Sequence, residues 1–305
     1  EDGSAFFEAP ARTPVYFQLL NQRGETVQTM RSWSVLQPGE MFACIGCHEP
    51  KGATRNNPDS RGGVMRTRAL RRVPKKPANQ DGVSDVSGFS FKTVQAILDR
   101  RCVSCHTGGN NADGTPAPFS LLGKQFVPTK ERNVNMAGRR FSEAYVNLTN
   151  GGKQNEIVNW LDIQLGPPMI PPNHAGAVKS KLVSMFDDGN RSAAHKDVRL
   201  SDMERRQIAL WIDLLVPFSG SYTEDTNWTA EQQADYAYYQ MKRDKMEQIE
   251  AQNIENFIAY MEGKIKLPPP NSFTQFQDGG PEFKKQFIEN YLRYLQRTQS
   301  QLEAR

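Results

Sequence analysis

Cysteine and histidine are scarce in this chain: 305 residues contain four of each. Long hydrophobic runs are absent. The best stretch, 208–218, is broken by Asp213 and falls well short of the ~20 apolar residues that span a bilayer. No transmembrane segment is therefore expected. No N-terminal signal segment is visible either. The chain lacks the P-loop, GxGxxG, HExxH and GxSxG patterns, so nothing points to nucleotide handling, zinc proteolysis or serine hydrolysis. A net charge of +4 is too small to mark a nucleic-acid binder. The basic residues do cluster, with nine Lys and Arg between positions 50 and 88 against Asp59, Asp81 and Asp85. Without interleaved aromatics, such a stretch is no nucleic-acid signature.

All four cysteines fall in two short motifs, Cys44-Ile45-Gly46-Cys47-His48 and Cys102-Val103-Ser104-Cys105-His106. Each is a CxxCH, the attachment pattern of haem c. Two intervening residues let both sulfurs reach one porphyrin edge, and the adjacent imidazole can take the iron as proximal ligand. A single zinc held by both CxxC pairs competes poorly, because the gap from Cys47 to Cys102 far exceeds the usual spacing of under ~20 residues. A disulfide framework would leave the His after each pair without a reason. Two covalently bound haem c groups are the expectation, with Cys44, Cys47, Cys102 and Cys105 as attachment sites and His48 and His106 as iron ligands. Haem c is attached outside the cytoplasm, so a periplasmic or otherwise extracytoplasmic location follows, with the signal segment removed or upstream.

Two histidines remain for distal positions. His195 lies in the approach to a helix expected from Ser201, whose Ser201-Asp202-Met203-Glu204 is a capping box. Ile208, Trp211, Leu214 and Leu215 supply that helix's stripe, and Pro217 stops it. A second helix is expected to open at Ser90, with Phe91, Val94, Ile97 and Leu98 on one face, and to run into Cys102. A helix entering the CxxCH and a closing helix packed on it are the frame of a class I cytochrome c, which makes His195 the favoured distal ligand of the second haem. His174 and Met169, in the proline-rich stretch 167–174, are alternatives. The first haem has no evident distal partner, and an iron with an open position can bind and transform a small molecule.

The remainder divides by composition. Residues 1–49 read as a β unit leading into the first haem site, with strands at 5–9, 15–20, 26–30 and 32–36. Residues 50–88 read as a basic linker or strap, and 89–220 as the cytochrome c-like domain, with further short helices near 142–148, 156–161 and 177–186. Residues 221–305 read as a helical extension. In it a long polar helix over 229–263 carries a narrow face of Met246, Ile249, Ile254, Phe257, Ile258 and Met261. A last helix opens at Pro281 with Phe287, Ile288, Tyr291, Leu292, Leu295 and Leu302 inward. The fold class is mainly α with a small N-terminal β unit.

Several stretches resemble a known family. Residues 1–8, 16–18, 27–33 and 37–40 ahead of the first motif, then 97–106, 180–182, 195–201 and 211–214, are similar to the C-terminal dihaem region of proteins like the hydrazine synthase alpha subunit. The likeness runs over roughly 1–260. It implies a bis-histidine second haem, in line with His106 and His195, and a β-propeller upstream, either lost here or present as a separate chain. It also implies a first haem ligated by a Tyr soon after the CxxCH. Here Glu49-Pro50-Lys51-Gly52 follows His48, and no Tyr occurs between Tyr16 and Tyr145. An ordinary His48-ligated electron-transfer haem is the expectation instead. The chain reads as a dihaem cytochrome relaying electrons to a redox partner within a larger assembly. The alternative is a hydrazine-synthase-like enzyme acting on a small nitrogen or oxygen species at an open first haem.

Overall fold

The computed structural model describes residues 4–43, 72–76, 88–110, 119–126, 140–149, 155–160, 170–226, 228–266 and 277–303. The described chain is mainly helical, with a small two-stranded sheet near its N-terminus. It divides into two compact units, Glu1–Asp225 and Thr226–Arg305.

In the first unit, β1 (Gln18–Leu20) pairs antiparallel with β2 (Thr26–Thr29). The turn between them is held by Asn21, whose side-chain oxygen accepts the N–H groups of Arg23 and Glu25, an Asx device that mimics a backbone turn. The two outer strands expected at 5–9 and 32–36 shrink to single bridges. Val15 pairs with Ser34, and Phe7 pairs in parallel with Lys75. Their exposed apolar side chains explain this. Among the described residues Trp33 and Val35 find no facing layer, and alternation alone cannot extend a ladder without one. The Phe7–Lys75 bridge lies in the described part of the expected basic strap, where the Glu8 N–H donates to the Lys75 carbonyl at 3.0 Å.

The core of this unit is built by α1 (Phe91–Arg101), α2 (Glu143–Thr149) and α4 (Asp202–Asp213). The α1 stripe at 91, 94, 97 and 98 is buried as its spacing predicts, because residues three and four apart share one helix face. It packs on Ile208, Ala209, Trp211 and Ile212 of α4 and on Ala144, Tyr145 and Leu148 of α2. The ring of Phe91 lies 5.1 Å from Trp211 and 5.3 Å from Tyr145. Smaller elements complete the unit: β3 (Gln125–Phe126) pairs with β4 (Phe141–Ser142), and α3 (Lys181–Ser184) follows a short 3₁₀ turn at Ala177–Lys179. The helix expected at 156–161 is absent from its described part, where 156–158 form a bend. Asn155 takes the N–H groups of Ile157 and Val158 on its side chain, the local competition that disfavours a helix.

The capping box at Ser201 and Glu204 is formed in both directions. The helix ends sooner than the sequence suggests, at Asp213. Leu215 and Val216 then take left-handed φ values of 66° and 50°. Such a conformation is costly, most of all for a β-branched residue. It is held from the core: Tyr145 donates its hydroxyl to the Val216 carbonyl at 2.8 Å, and Trp211 donates its indole N–H to the Pro217 carbonyl at 3.1 Å.

The second unit contains α5 (Ala230–Met261) and α6 (Gly280–Glu303). Thr229 and Gln232 form a capping box at the start of α5. Tyr238 is the pivot between the helices. It is buried, stacks edge-on against Phe287 at 5.7 Å, and donates its hydroxyl to Asp278 at 2.6 Å. The inward stripe of α6 at 287, 288, 291, 292 and 295 is half-buried; the Leu302 side chain lies outside the description. The narrow apolar face expected on α5 is largely solvent-facing: Met246, Phe257, Ile258 and Met261 are all exposed. The buried positions of α5 are Ala234 and Tyr238, within its first turns.

Candidate haem site at the second CxxCH

α1 ends at Arg101, and Cys102, its C-cap with a non-helical φ of −128°, opens a hydrogen-bonded turn. The Cys102 N–H donates to the Leu98 carbonyl at 2.8 Å, and the His106 N–H to the Cys102 carbonyl at 3.0 Å. That turn fixes Cys102, Cys105 and His106 relative to the core face of α1. Cys102 is half-buried and Cys105 exposed, and the two are not joined in a disulfide. Burial, with smaller contributions from Cys105 and Glu204, pushes the Cys102 thiol up to about 11, so it stays protonated at neutral pH.

His106 is oriented by the segment that follows. Its Nδ1 faces the Phe119 carbonyl at 3.1 Å, its ring meets the Phe119 ring edge-on at 5.2 Å, and its own carbonyl accepts the Leu121 N–H. A carbonyl can only accept, so Nδ1 carries the proton and Nε2 keeps its lone pair. His195 ends a 3₁₀ turn, Ala193–His195, preceded by Ser192. The Ser192 hydroxyl lies 3.0 Å from His195 Nδ1, and Phe186 stands edge-on to the ring at 5.8 Å. Both imidazoles engage a second partner through Nδ1; with the Ser192 hydroxyl accepting from His195 Nδ1–H, both leave Nε2 for a ligand, the arrangement typical of metal-bound histidine.

The two rings are brought together. Their centroids are 6.1 Å apart and their planes differ by 2°. Two metal–nitrogen bonds of about 2 Å each, plus the half-widths of two five-membered rings, also come to about 6 Å. The spacing fits two imidazoles on opposite faces of one iron, with Cys102 and Cys105 beside them to hold a porphyrin edge. An iron held in this way would have no open position and would suit electron transfer.

His174 stands elsewhere. It is exposed and lines a cavity of about 30 Å³ with Thr26, Gly176 and Asp213, among others, and with neither His106 nor His195. Cys44, Cys47, His48 and Met169 lie outside the described residues. The sequence reading did not single out Ser192, Phe119 or Phe186. Of these, Ser192 carries a readable signal, three residues ahead of a histidine in a short turn.

Asp213 is the other group that tertiary structure transforms. It is buried, and burial raises its carboxyl to about 6 despite backbone N–H groups from Ala177 and Thr26 that favour the charged form. Those two bonds, each 2.8 Å, tie β2 and the 3₁₀ turn to the end of α4. Gln18 adds a bond to the Asp213 carbonyl at 2.9 Å. Nearby, Arg205 reaches Glu25 at 2.7 Å and Asp187 at 3.4 Å. The β unit is therefore anchored on α4.

No curated protein and no solved structure matches the chain. The likeness read over 1–260 finds support from family models in its first part alone, and not as a C-terminal dihaem region. That part, residues 1–49, which holds the β unit and the first CxxCH, matches the hydrazine synthase alpha subunit middle domain.

Proposed function

We propose that the chain is an extracytoplasmic dihaem cytochrome c that relays electrons as a subunit of a larger redox assembly. Haem c would be attached at Cys44 and Cys47 with His48 as ligand, and at Cys102 and Cys105 with His106 and His195 as ligands. The observation that carries this reading is the parallel pair of His106 and His195 rings, 6.1 Å apart, each with Nδ1 already engaged. The class I cytochrome c-like frame rests on α1 running into the motif and on α4 packed against α1. The family match adds a redox context and a multi-subunit setting.

The test is spectroscopic. Purified protein should give two haem c per chain in alkaline pyridine. His195→Ala should convert one low-spin haem to a high-spin, CO-binding form. Protein without covalent haem, or a His195→Ala spectrum identical to wild type, refutes the proposal. A second reading, redox chemistry of hydrazine-synthase type on a small nitrogen or oxygen species at the first haem, is favoured by the match over 1–49. It requires one high-spin haem that binds CO or NO in the unaltered protein. Two low-spin haems indifferent to CO exclude it.

A further inference from the structure

The two segments that present His106 and His195 meet through one carboxylate. Glu204 is 7% exposed, and its two oxygens have separate tasks. Oε2 accepts the Ser201 N–H at 2.9 Å and closes the capping box of α4. Oε1 accepts from Arg101 Nε at 3.2 Å and Arg100 Nη2 at 3.4 Å. Arg100 and Arg101 are the last residues of α1, directly ahead of Cys102. Ser201 begins α4 directly after the turn and loop that carry His195. Burial pushes the Glu204 carboxyl up, but the Ser201 N–H and the two guanidinium groups outweigh it and hold it below the usual range. It remains an anion at neutral pH, between two cations.

The Arg100 and Arg101 side chains are 56% and 42% exposed, so the contact is partly screened by solvent; what sets it apart is that it joins the end of α1 to a carboxylate that also closes the cap of α4. Capping does not require the Arg contacts, since a capping box closes within α4 alone. The bonds to α1 are therefore an addition, and they join the chain entering one imidazole to the chain leaving the other.

We infer that Glu204 is a positioning residue for the second haem: through Arg100 and Arg101 it fixes the distance at which His195 meets the iron opposite His106. This rests on the haem reading above. The clamp and the cap separate by mutation. Arg100→Met with Arg101→Met removes the clamp and keeps the cap. Ser201→Ala weakens the cap and keeps the clamp. Glu204→Ala removes both, and Glu204→Gln retains the box and a neutral acceptor.

The readout is the fraction of reduced second haem that binds CO, taken where far-UV circular dichroism matches wild type. The clamp-free variants should raise that fraction at least about tenfold, Ser201→Ala should leave it near wild type, and Glu204→Gln should restore most of the closure. Equal opening in Ser201→Ala and the arginine variant, or no opening in any of them, overturns the inference. A wild-type protein lacking haem at Cys102 and Cys105, or a His195→Ala variant that binds no CO, sinks the underlying haem assignment instead.

Discussion

Asp213 should make the protein lose stability as the solution turns from mildly acid to neutral, which is opposite to the usual behaviour of a paired carboxylate. Its carboxyl titrates at about 6 in the fold against 3.8 as a free side chain. A group whose native pKa is raised stabilises the fold fully below its unfolded pKa. That contribution is lost as pH rises through the native value. The difference of about 2 pKa units corresponds to about 3 kcal/mol, most of it spent between pH 4 and pH 6.5. Two backbone N–H bonds at 2.8 Å oppose the shift, and desolvation still wins because the carboxylate is 7% exposed and Glu25 adds a like charge beside it.

The perturbation is Asp213→Asn, which cannot ionise. Its amide oxygen can still accept the Ala177 N–H, while its NH₂ would face the Thr26 N–H. That mismatch costs a constant amount at every pH and does not affect the slope. Urea unfolding followed by far-UV circular dichroism at pH 4.5, 5.5, 6.5 and 7.5 gives the difference between variant and wild type, so groups common to both cancel. The Asn variant should gain on wild type by about 2 kcal/mol across that range. A difference constant to within about 0.5 kcal/mol, the scale of an ordinary surface substitution, would show that the buried carboxylate is not the titrating group.

Other consequences can be checked directly. Cys102→Ser with Cys105→Ser should halve the covalent haem per chain by pyridine haemochrome and intact mass. Trp211→Ala should cost about 3–5 kcal/mol in denaturant unfolding, because it empties the centre of the aromatic cluster and frees the Pro217 carbonyl. Gly176→Ala should lower the melting temperature and expose the β unit to limited proteolysis. Its new Cβ would lie 2.4 Å from Asp213 Oδ1, at a backbone φ of 95°. An unchanged proteolysis pattern would mean that Asp213 does not anchor the β unit. Thr229→Ala should reduce the helicity of the second unit through loss of its cap, by about 1 kcal/mol.

What the sequence made legible was local. The stripe of α1 and the capping box of α4 follow from spacing within a few residues, and each is present. His195 could be picked out because only two histidines were unassigned, not because its surroundings were visible. Its hold on Ser192 is a local turn, whereas its alignment with His106 depends on α4 packing on α1. Asp213 was legible only as a break in an apolar run. Its bond to Thr26 spans 187 positions, and burial of that kind comes from tertiary closure. The early end of α4 has the same origin, since Tyr145 and Trp211 hold Val216 in a conformation that its own β-branched side chain disfavours. On α5 the periodicity indicated a narrow apolar face, and most of it stands in solvent beyond the first turns, because pattern reports amphipathicity and not what covers it.

The 2° angle between the planes of His106 and His195 has an electronic meaning. Parallel imidazoles donate π density into the same d orbital of an iron between them and lift the degeneracy of that orbital and its neighbour. Perpendicular rings would leave the two nearly equal. A ferric centre held by this pair should therefore give a rhombic, three-line paramagnetic resonance spectrum rather than one line at a very large g value. The orientation set by the Phe119 carbonyl and the Ser192 hydroxyl would thus select which iron orbital holds the unpaired electron.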